Sequence, residues 1–117
     1  MKEKRIKVVL TNHTFELRNV QVAEFMSEET TAFNTDIYID GRLCGYCKNS
    51  GKGEGNYPMM IQSEDNDLLS EIEKECMTHT CNYVAHGKVY TFTYNLDFLI
   101  GAMVEAAWFD NKKTFKF

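Results

Sequence analysis

Several features that mark non-globular or membrane chains are scarce in this sequence of 117 residues. One proline is too few for a Pro-rich linker, and eight Phe, six Tyr and one Trp are too many for a disordered polar chain. The longest apolar stretch, Phe98 to Phe109, is interrupted by Glu105 and falls short of the roughly 18 residues that a membrane helix needs. We therefore expect a single soluble domain over residues 1–117.

A secretion signal is also missing from the N-terminal residues. Met1 to Lys7 is basic, but no apolar segment with a small-residue cleavage site follows it. The expected compartment is therefore the cytoplasm, which is reducing. Free thiols are accordingly expected at all four cysteines, which are Cys44, Cys47, Cys76 and Cys81.

Charge is distributed unevenly along the chain. The net charge is −4; residues 1–63 hold eight basic and eight acidic side chains, whereas residues 64–117 hold five and nine. Most of the excess lies in residues 64–75, where six carboxylates are opposed only by Lys74. Because phosphate contacts require Lys and Arg, this stretch argues against nucleic-acid binding and favours a basic partner.

The first part of the chain predicts two β-hairpins. Residues 5–10 and the run that begins at Phe15 have strand-like patterns, and the second run slips at Arg18–Asn19, which predicts a β-bulge. A third strand over Phe33 to Asp40 returns as Arg42 to Lys48.

The Asp40–Gly41 pair favours a type I′ turn between these two strands, because such a turn needs positive φ at both central residues. A loop with three glycines follows from Asn49 to Asn56.

Helical spacing occurs twice in the second part of the chain. Leu68, Leu69, Ile72 and Cys76 predict a first helix with Asp65 or Asp67 as its N-cap.

A fifth strand is expected from Val89 to Tyr94, after a turn at His86–Gly87. Asn95 should cap a second helix that ends near Asn111. The order ββββαβα predicts an α+β domain in which two helices cover an antiparallel sheet of four to five strands.

Residues 25–57 carry a family resemblance. They contain Ser-Glu-Glu-Thr at 27–30, an aromatic strand, the Asp-Gly hairpin and the glycine loop, and the late helix adds Leu-Asp-Phe-Leu-Ile-Gly at 96–101. This pattern resembles small accessory proteins of phages and mobile elements of gut bacteria, with Glu54 interrupting their final glycine pair. The resemblance implies a shared fold and an inhibitor of host defence of the anti-CRISPR type, acting in the host cytoplasm.

The cysteines raise the possibility of a zinc site. Cys44 and Cys47 have knuckle spacing, and Cys76, His79 and Cys81 could complete a tetrahedral set. Side chains three positions apart on a regular strand face opposite sides, so the first pair could share a metal only if Gly45 turned the chain. Buried thiols without a metal are therefore the favoured interpretation, and zinc is the minor alternative.

The loop from Gly51 to Gly55 offers backbone amides that, together with Lys52, could hold an anion. It lacks the Walker spacing and no helix begins directly after it, so a structural connector or a partner-contact loop is favoured. A small-ligand protein that binds a nucleotide or another anion in this loop is the alternative function.

No catalytic frame surrounds the three histidines. Cys81 with His79 or His86 lacks a recognised signature, so neither enzymatic activity nor a cofactor is expected. Met59–Met60 and Trp108–Phe109 could form recognition patches, but core packing is the favoured fate.

These observations lead to the hypothesis of a non-enzymatic inhibitor or binding module. Its partner would be a host protein with a basic surface, a nucleic-acid-binding effector being one candidate; neither direct nucleic-acid nor membrane binding is expected. Asp67, Glu71 and Glu75 fall on one stripe of the first helix and would compete with a phosphate backbone for a basic channel. Lys52 and Glu54 of the glycine loop complete the expected contact set.

Overall fold

A computed structural model describes residues 3–117. Within this range the chain forms seven strands and two α-helices, with one turn of 3-10 helix at Glu24–Met26. The α+β class predicted from the sequence is confirmed. The elements are β1 (Ile6–Val9), β2 (Thr14–Val22), β3 (Phe33–Ile39), β4 (Arg42–Asn49), β5 (Met59–Met60), α1 (Asp65–Cys76), β6 (Thr80–Ala85), β7 (Lys88–Thr93) and α2 (Leu96–Trp108).

The first five strands form one antiparallel sheet in which each strand lies beside its neighbours in sequence. The predicted bulge in β2 is confirmed: the register to β3 shifts between Arg18 and Gln21, and Asn19 adopts a φ of 53°. The predicted turn between β3 and β4 is confirmed as well, since Asp40 and Gly41 have φ values of 52° and 82°.

The core lies between this sheet and the two helices. Strand residues such as Phe15, Leu17 and Ile37 are fully buried, and they share one cluster with residues of both helices. The helix residues of the cluster include Ile72 of α1 and Leu99, Ile100 and Met103 of α2. Both helices therefore cover the same face of the sheet.

The start of α1 differs from the prediction. The N-cap position is held by Glu64, which makes no side-chain capping bond within the described residues. Asp65 lies inside the first turn, where its carboxylate accepts two hydrogen bonds from the Arg42 guanidinium at 2.9 and 3.1 Å. Asp65 is thus not a cap, because its carboxylate is hydrogen-bonded to Arg42 of β4.

Helix α2 begins as predicted and ends early. The Asn95 Oδ1 accepts a hydrogen bond from the Phe98 amide at 2.9 Å, which is an N-cap. The helix ends at Trp108, three residues before the expected end. Asn111 adopts a φ of 53°, and the Lys112 amide donates to the Ala106 carbonyl, so the chain reverses there instead of continuing the helix.

The prediction that residues 89–94 form the fifth strand of the main sheet is wrong. Residues 88–93 form β7, but among residues 3–117 this strand pairs only with β6, in a separate two-stranded hairpin. The predicted turn at His86–Gly87 is present, with φ values of 52° and 74°. Every residue of β7 is exposed, so neither face of the strand is covered as a sheet interior would be. The fifth strand of the main sheet is instead the two-residue β5.

The C-terminal residues cover the free side of β1. The Lys7 amide donates to the Lys113 carbonyl at 3.1 Å, and the Phe115 amide donates to the Lys7 carbonyl at 2.8 Å. Phe115 also packs edge-on against Tyr94, with 5.8 Å between ring centroids. The outer edge of β1 is therefore occupied by the chain itself.

Removing the N-cap of α2 should destabilise the protein. Asn95→Ala leaves the Phe98 amide without its side-chain acceptor, and we expect a loss of about 1 kcal/mol in the free energy of unfolding, measured by urea titration. Glu64→Ala is the matched control at the N-cap of α1, where no capping bond is lost, and should change stability by less than about 0.5 kcal/mol. Equal losses in the two variants would contradict this assignment of the caps.

Candidate functional site

A cleft of about 1120 Å³ lies beside the first turns of α2. Residues 27–31 form one wall, residues 53–57 a second, and residues 91–93 of β7 a third, over a floor that includes Phe98 and Gly101. Segments that are distant in sequence thus meet here, including the Ser-Glu-Glu-Thr and glycine-loop segments singled out above. Small-molecule pockets usually hold roughly 300–1,000 Å³, so this open cleft has room for a larger ligand.

The Asn49 side chain holds two of these walls together. It is 5% exposed. Its Oδ1 accepts hydrogen bonds from the Thr30 hydroxyl at 2.7 Å and the Gly51 amide at 2.8 Å. Its Nδ2 donates to the Glu54 carbonyl at 3.0 Å and to the Asn56 Oδ1 at 2.8 Å. Both acceptor positions and both donors of the carboxamide are therefore in use.

Backbone contacts connect the same loops a second time. The Gly51 carbonyl accepts from three successive amides, those of Glu28, Glu29 and Thr30, at 2.8 to 3.3 Å. Gly51 itself has a φ of 86°, a conformation that favours glycine. The 27–31 wall is therefore fixed to the start of the glycine loop.

Asn56 joins the loop to α2. The Asp97 Oδ1 accepts a hydrogen bond from the Asn56 amide at 2.8 Å, and the Asn56 Nδ2 donates to the Asp97 carbonyl at 3.0 Å. An added Cβ at Gly101 would lie 3.0 Å from the same Nδ2. A side chain at position 101 would therefore crowd the point where the loop meets the helix.

The cleft is acidic. Five carboxylates line it, and among residues 3–117 none of the lining side chains is Lys, Arg or His. Within the same part of the chain, none of the five takes part in an ion pair. The five are Glu28, Glu29, Glu54, Asp97 and Glu105. Their mutual repulsion would be relieved by a cationic ligand.

Aromatic rings lie beside the carboxylates. Phe92 of β7 and Phe98 of α2 are stacked, with 5.7 Å between centroids and an angle of 14° between planes. Phe92 is 44% exposed and Tyr57, on the opposite wall, is 70% exposed. The cleft therefore offers both negative charge and apolar surface.

The five residues expected to contact a partner do not form one site. Glu54 lines the cleft, and its carboxylate accepts hydrogen bonds from the amide and hydroxyl of Ser50. Lys52 is exposed on the same loop outside the lining. The three carboxylates of α1, those of Asp67, Glu71 and Glu75, are absent from the cleft lining.

Two of the α1 carboxylates have contacts within the fold. The Glu75 Oε2 accepts from the amide and hydroxyl of Thr11 at 2.8 and 3.1 Å. The Glu71 carboxylate lies 3.5 Å from the His13 Nε2. Asp67 is exposed. Most of the predicted stripe thus fastens α1 to the turn between β1 and β2.

His13 connects three elements. Its Nδ1 lies 2.8 Å from a carboxylate oxygen of Asp40, in the turn between β3 and β4, while its Nε2 faces Glu71 of α1. The hydrogen bond to Asp40, supported by Glu71, raises the pKa of His13. The same bond and one from the Thr14 amide lower the pKa of Asp40.

The cysteines are free thiols placed mainly in the core. Cys44, Cys47 and Cys76 are buried and Cys81 is half-buried. Cys44 is the extra residue of a bulge in β4, since Ile37 pairs with Gly45 and Tyr38 with Leu43, and the bulge turns both Cys44 and Cys47 inward.

Metal binding would require these thiols to ionise. Burial raises the pKa of Cys47 to about 12 and that of Cys76 to about 11, which favours the neutral thiol over the thiolate that zinc requires. Within residues 3–117 no three His, Cys, Asp or Glu side chains form a group that could hold a metal ion.

Three amides of the glycine loop donate hydrogen bonds within the fold. The Gly51 amide donates to Asn49, the Gly53 amide to the Thr30 hydroxyl, and the Ser50 amide to Glu54. An anion in this loop would compete with these acceptors and would face the carboxylates of the cleft. The geometry therefore gives no support to the alternative of a nucleotide or anion site.

The two candidate recognition patches are only partly in the core. Met60 packs against the core, but Met59 and Phe109 are 57% and 53% exposed. Core packing was thus the wrong expectation for these two residues. Met59 is exposed because it lies on the two-residue β5, and Phe109 because α2 ends one residue before it.

The sequence interpretation missed Asn49, Asn56 and Asp97 as the residues that shape the cleft. Asn49 and Asn56 bound the predicted glycine loop, and Asp97 lies in the Leu-Asp-Phe motif. Their positions at the ends of unusual segments were the available signal. Nothing in the sequence indicated that these segments meet.

No family model, curated protein or solved structure matches this chain. The resemblance to accessory proteins of phages and mobile elements stays a prediction. In the part of the chain that the structure describes, neither helix is long and apolar enough to cross a bilayer.

Replacing Asn49 should loosen the cleft and the fold together. Asn49→Ala removes four hydrogen bonds and leaves their partners to find water or remain unpaired, and we expect the free energy of unfolding to fall by about 2–4 kcal/mol in urea titration. Asn34→Ala, at an exposed position on β3, is the control and should cost less than about 0.5 kcal/mol. A loss at Asn49 no larger than that at Asn34 would refute its structural role.

The His13 contacts should make stability depend on pH. Since the folded state raises the pKa of His13 above 6.5, its contribution is complete below about pH 6.5 and is lost as the pH rises through the folded-state pKa. The stability difference between wild type and His13→Ala should therefore be larger at about pH 5.5 than at about pH 8.5.

Asp40→Asn is the matched control for this pH dependence. Asparagine tolerates the positive φ of the turn but removes the carboxylate that contributes most to the raised pKa of His13. In that background the effect of His13→Ala should vary much less between the two pH values, as followed by urea titration. An unchanged pH dependence would show that another group is responsible.

Proposed function

We propose that the protein is a non-enzymatic binding module that inhibits a host protein by engaging a basic segment of it in the acidic cleft. The observation that carries the proposal is the set of five carboxylates without an ion-pair partner in the described chain, gathered in one cleft with exposed aromatic rings. Lys and Arg side chains suit such a surface, because their cationic ends meet carboxylates and their aliphatic stems cover aromatic rings.

The cleft is a better contact surface than the α1 stripe expected from the sequence. Glu71 faces the His13 imidazole, so a cationic ligand at this carboxylate would compete with a contact of the fold. Within the described residues, the cleft carboxylates accept hydrogen bonds from neutral groups and form no ion pair. The Glu28 and Glu29 side chains are exposed at the rim.

The biological setting of the proposal rests on the sequence resemblance. Small accessory proteins of phages and mobile elements often resemble inhibitors of host defence. A nucleic-acid-binding effector has the basic segments that an acidic cleft would compete for.

Neutralising the rim of the cleft should weaken binding of a cationic peptide. The probe is a labelled seven-residue peptide of alternating lysine and valine, titrated by fluorescence anisotropy. The double variant Glu28→Gln, Glu29→Gln should raise its Kd by about three- to tenfold, since each exposed charge pair contributes up to about 1 kcal/mol. Binding should also become less sensitive to salt.

Glu64→Gln with Asp67→Asn is the matched control, since it removes two exposed carboxylates at the start of α1, outside the cleft. It should leave the Kd within about twofold. A larger effect at α1 than at the rim would move the contact surface to the helix. Failure of the wild-type protein to bind the peptide more tightly than a glutamate–valine peptide would overturn the proposal.

A further inference from the structure

We infer that the outer edge of β7 is a docking edge, to which an extended basic segment of the partner adds as a third strand within the acidic cleft. The inference rests on the proposed function and specifies how its ligand is held. Added strands gain affinity from backbone hydrogen bonds and specificity from the side chains that flank them.

The hairpin register fixes which β7 peptide groups face outward. Ala85 and Lys88 flank the two-residue turn, so they form a hydrogen-bonded pair, and such pairs alternate along an antiparallel ladder. The Tyr94 amide donates to the His79 carbonyl at 3.2 Å, as the same alternation requires. Peptide groups directed away from β6 are therefore those of Val89, Thr91 and Thr93.

This edge is open along the wall of the cleft. β7 pairs with β6 alone, and among residues 3–117 no acceptor takes the Val89, Thr91 or Thr93 amide; of the outward carbonyls, that of Thr93 accepts from the Asn95 amide at 2.9 Å. Thr91 and Thr93 both line the cleft, whereas no residue of β6 does. The unpaired edge thus faces the carboxylates and not the opposite side of the hairpin.

Charge complementarity identifies the occupant. A strand added to β7 would lie about 4.8 Å from it, between β7 and the wall that carries Glu28 and Glu29. Its alternate side chains would point to opposite faces, so lysine or arginine at every second position would meet carboxylates while the others meet Phe92 and Phe98. An acidic or neutral strand would gain no such pairing.

The other strand edges of the structure are less suited to an added basic strand. The outer edge of β1 is occupied by Lys113 and Phe115, and β5 has only two residues. The outer edge of β6 is as long as that of β7, yet it lies away from the carboxylates. This difference between two otherwise similar edges supplies the control for the test.

The test removes one outward amide from either edge. Thr91→Pro deletes an amide that faces the cleft but has no part in the ladder, and proline is tolerated at such edge positions. Asn82→Pro is the matched control, because Asn82 lies directly opposite Thr91 and directs its amide to the other edge. Both variants also lose the Thr91–Asn82 side-chain hydrogen bond.

We expect Thr91→Pro to raise the Kd of the lysine–valine peptide at least about tenfold, and Asn82→Pro to change it less than about twofold. Equal effects in the two variants would refute the inference. Circular dichroism of both variants checks that the hairpin and the rest of the fold persist.

Amide hydrogen exchange of the unaltered protein gives an independent measurement. Saturating peptide should slow exchange at Val89, Thr91 and Thr93 by at least about tenfold, with no comparable change at Asn82 or Val84. Peptide binding without this protection would overturn the docking edge and leave the proposed function standing. Absence of cation-selective binding would instead overturn the proposed function.

Discussion

The shape of the cleft depends on one buried carboxamide. Asn49 supplies two donors and two acceptors, and each of them meets a different loop group. An aspartate at this position would lack the donors, a serine would lack the reach, and an apolar residue would leave several polar groups without partners. Because the four partners belong to two segments, the 27–31 wall and the glycine loop, these two walls cannot move independently while this side chain stays in place. A cleft built on irregular chain thereby gains the rigidity that strands and helices usually provide.

The carboxylates of this protein fall into two groups that differ in their neighbours. Asp40, Asp65 and Glu71 each face the His13 imidazole or the Arg42 guanidinium, and these contacts hold the turns and α1 in place. The cleft carboxylates contact hydroxyls and amides, which orient them without neutralising them. A row of negative charge in the sequence therefore does not show which carboxylates have a cationic partner in the fold.

Local chemistry made much of the fold predictable. The Asp40–Gly41 turn, the slip at Arg18–Asn19 and the cap at Asn95 each depend on one or two residues whose conformational preferences are strong, and each is present. Contacts between remote segments were not predictable in this way. Asp65 was expected as a cap because its pairing with Arg42 is invisible in the sequence. The cleft was missed because its three walls and its floor come from four separate stretches of chain. The strand at residues 89–94 was assigned to the main sheet because periodicity identifies a strand but not its neighbours, and its partner β6 was not predicted.

An open strand edge is a hazard for a protein, since it can pair with any other exposed strand, including that of a second copy. The surroundings of β7 restrict this choice. A second copy that approached the edge with its own β7 would bring its own cleft carboxylates toward the first set, and both chains carry a net charge of −4. Like-charge repulsion therefore opposes self-pairing, while the same charges attract a cationic strand. The carboxylates would then contribute specificity as well as affinity: they leave the edge available and determine which strands can use it.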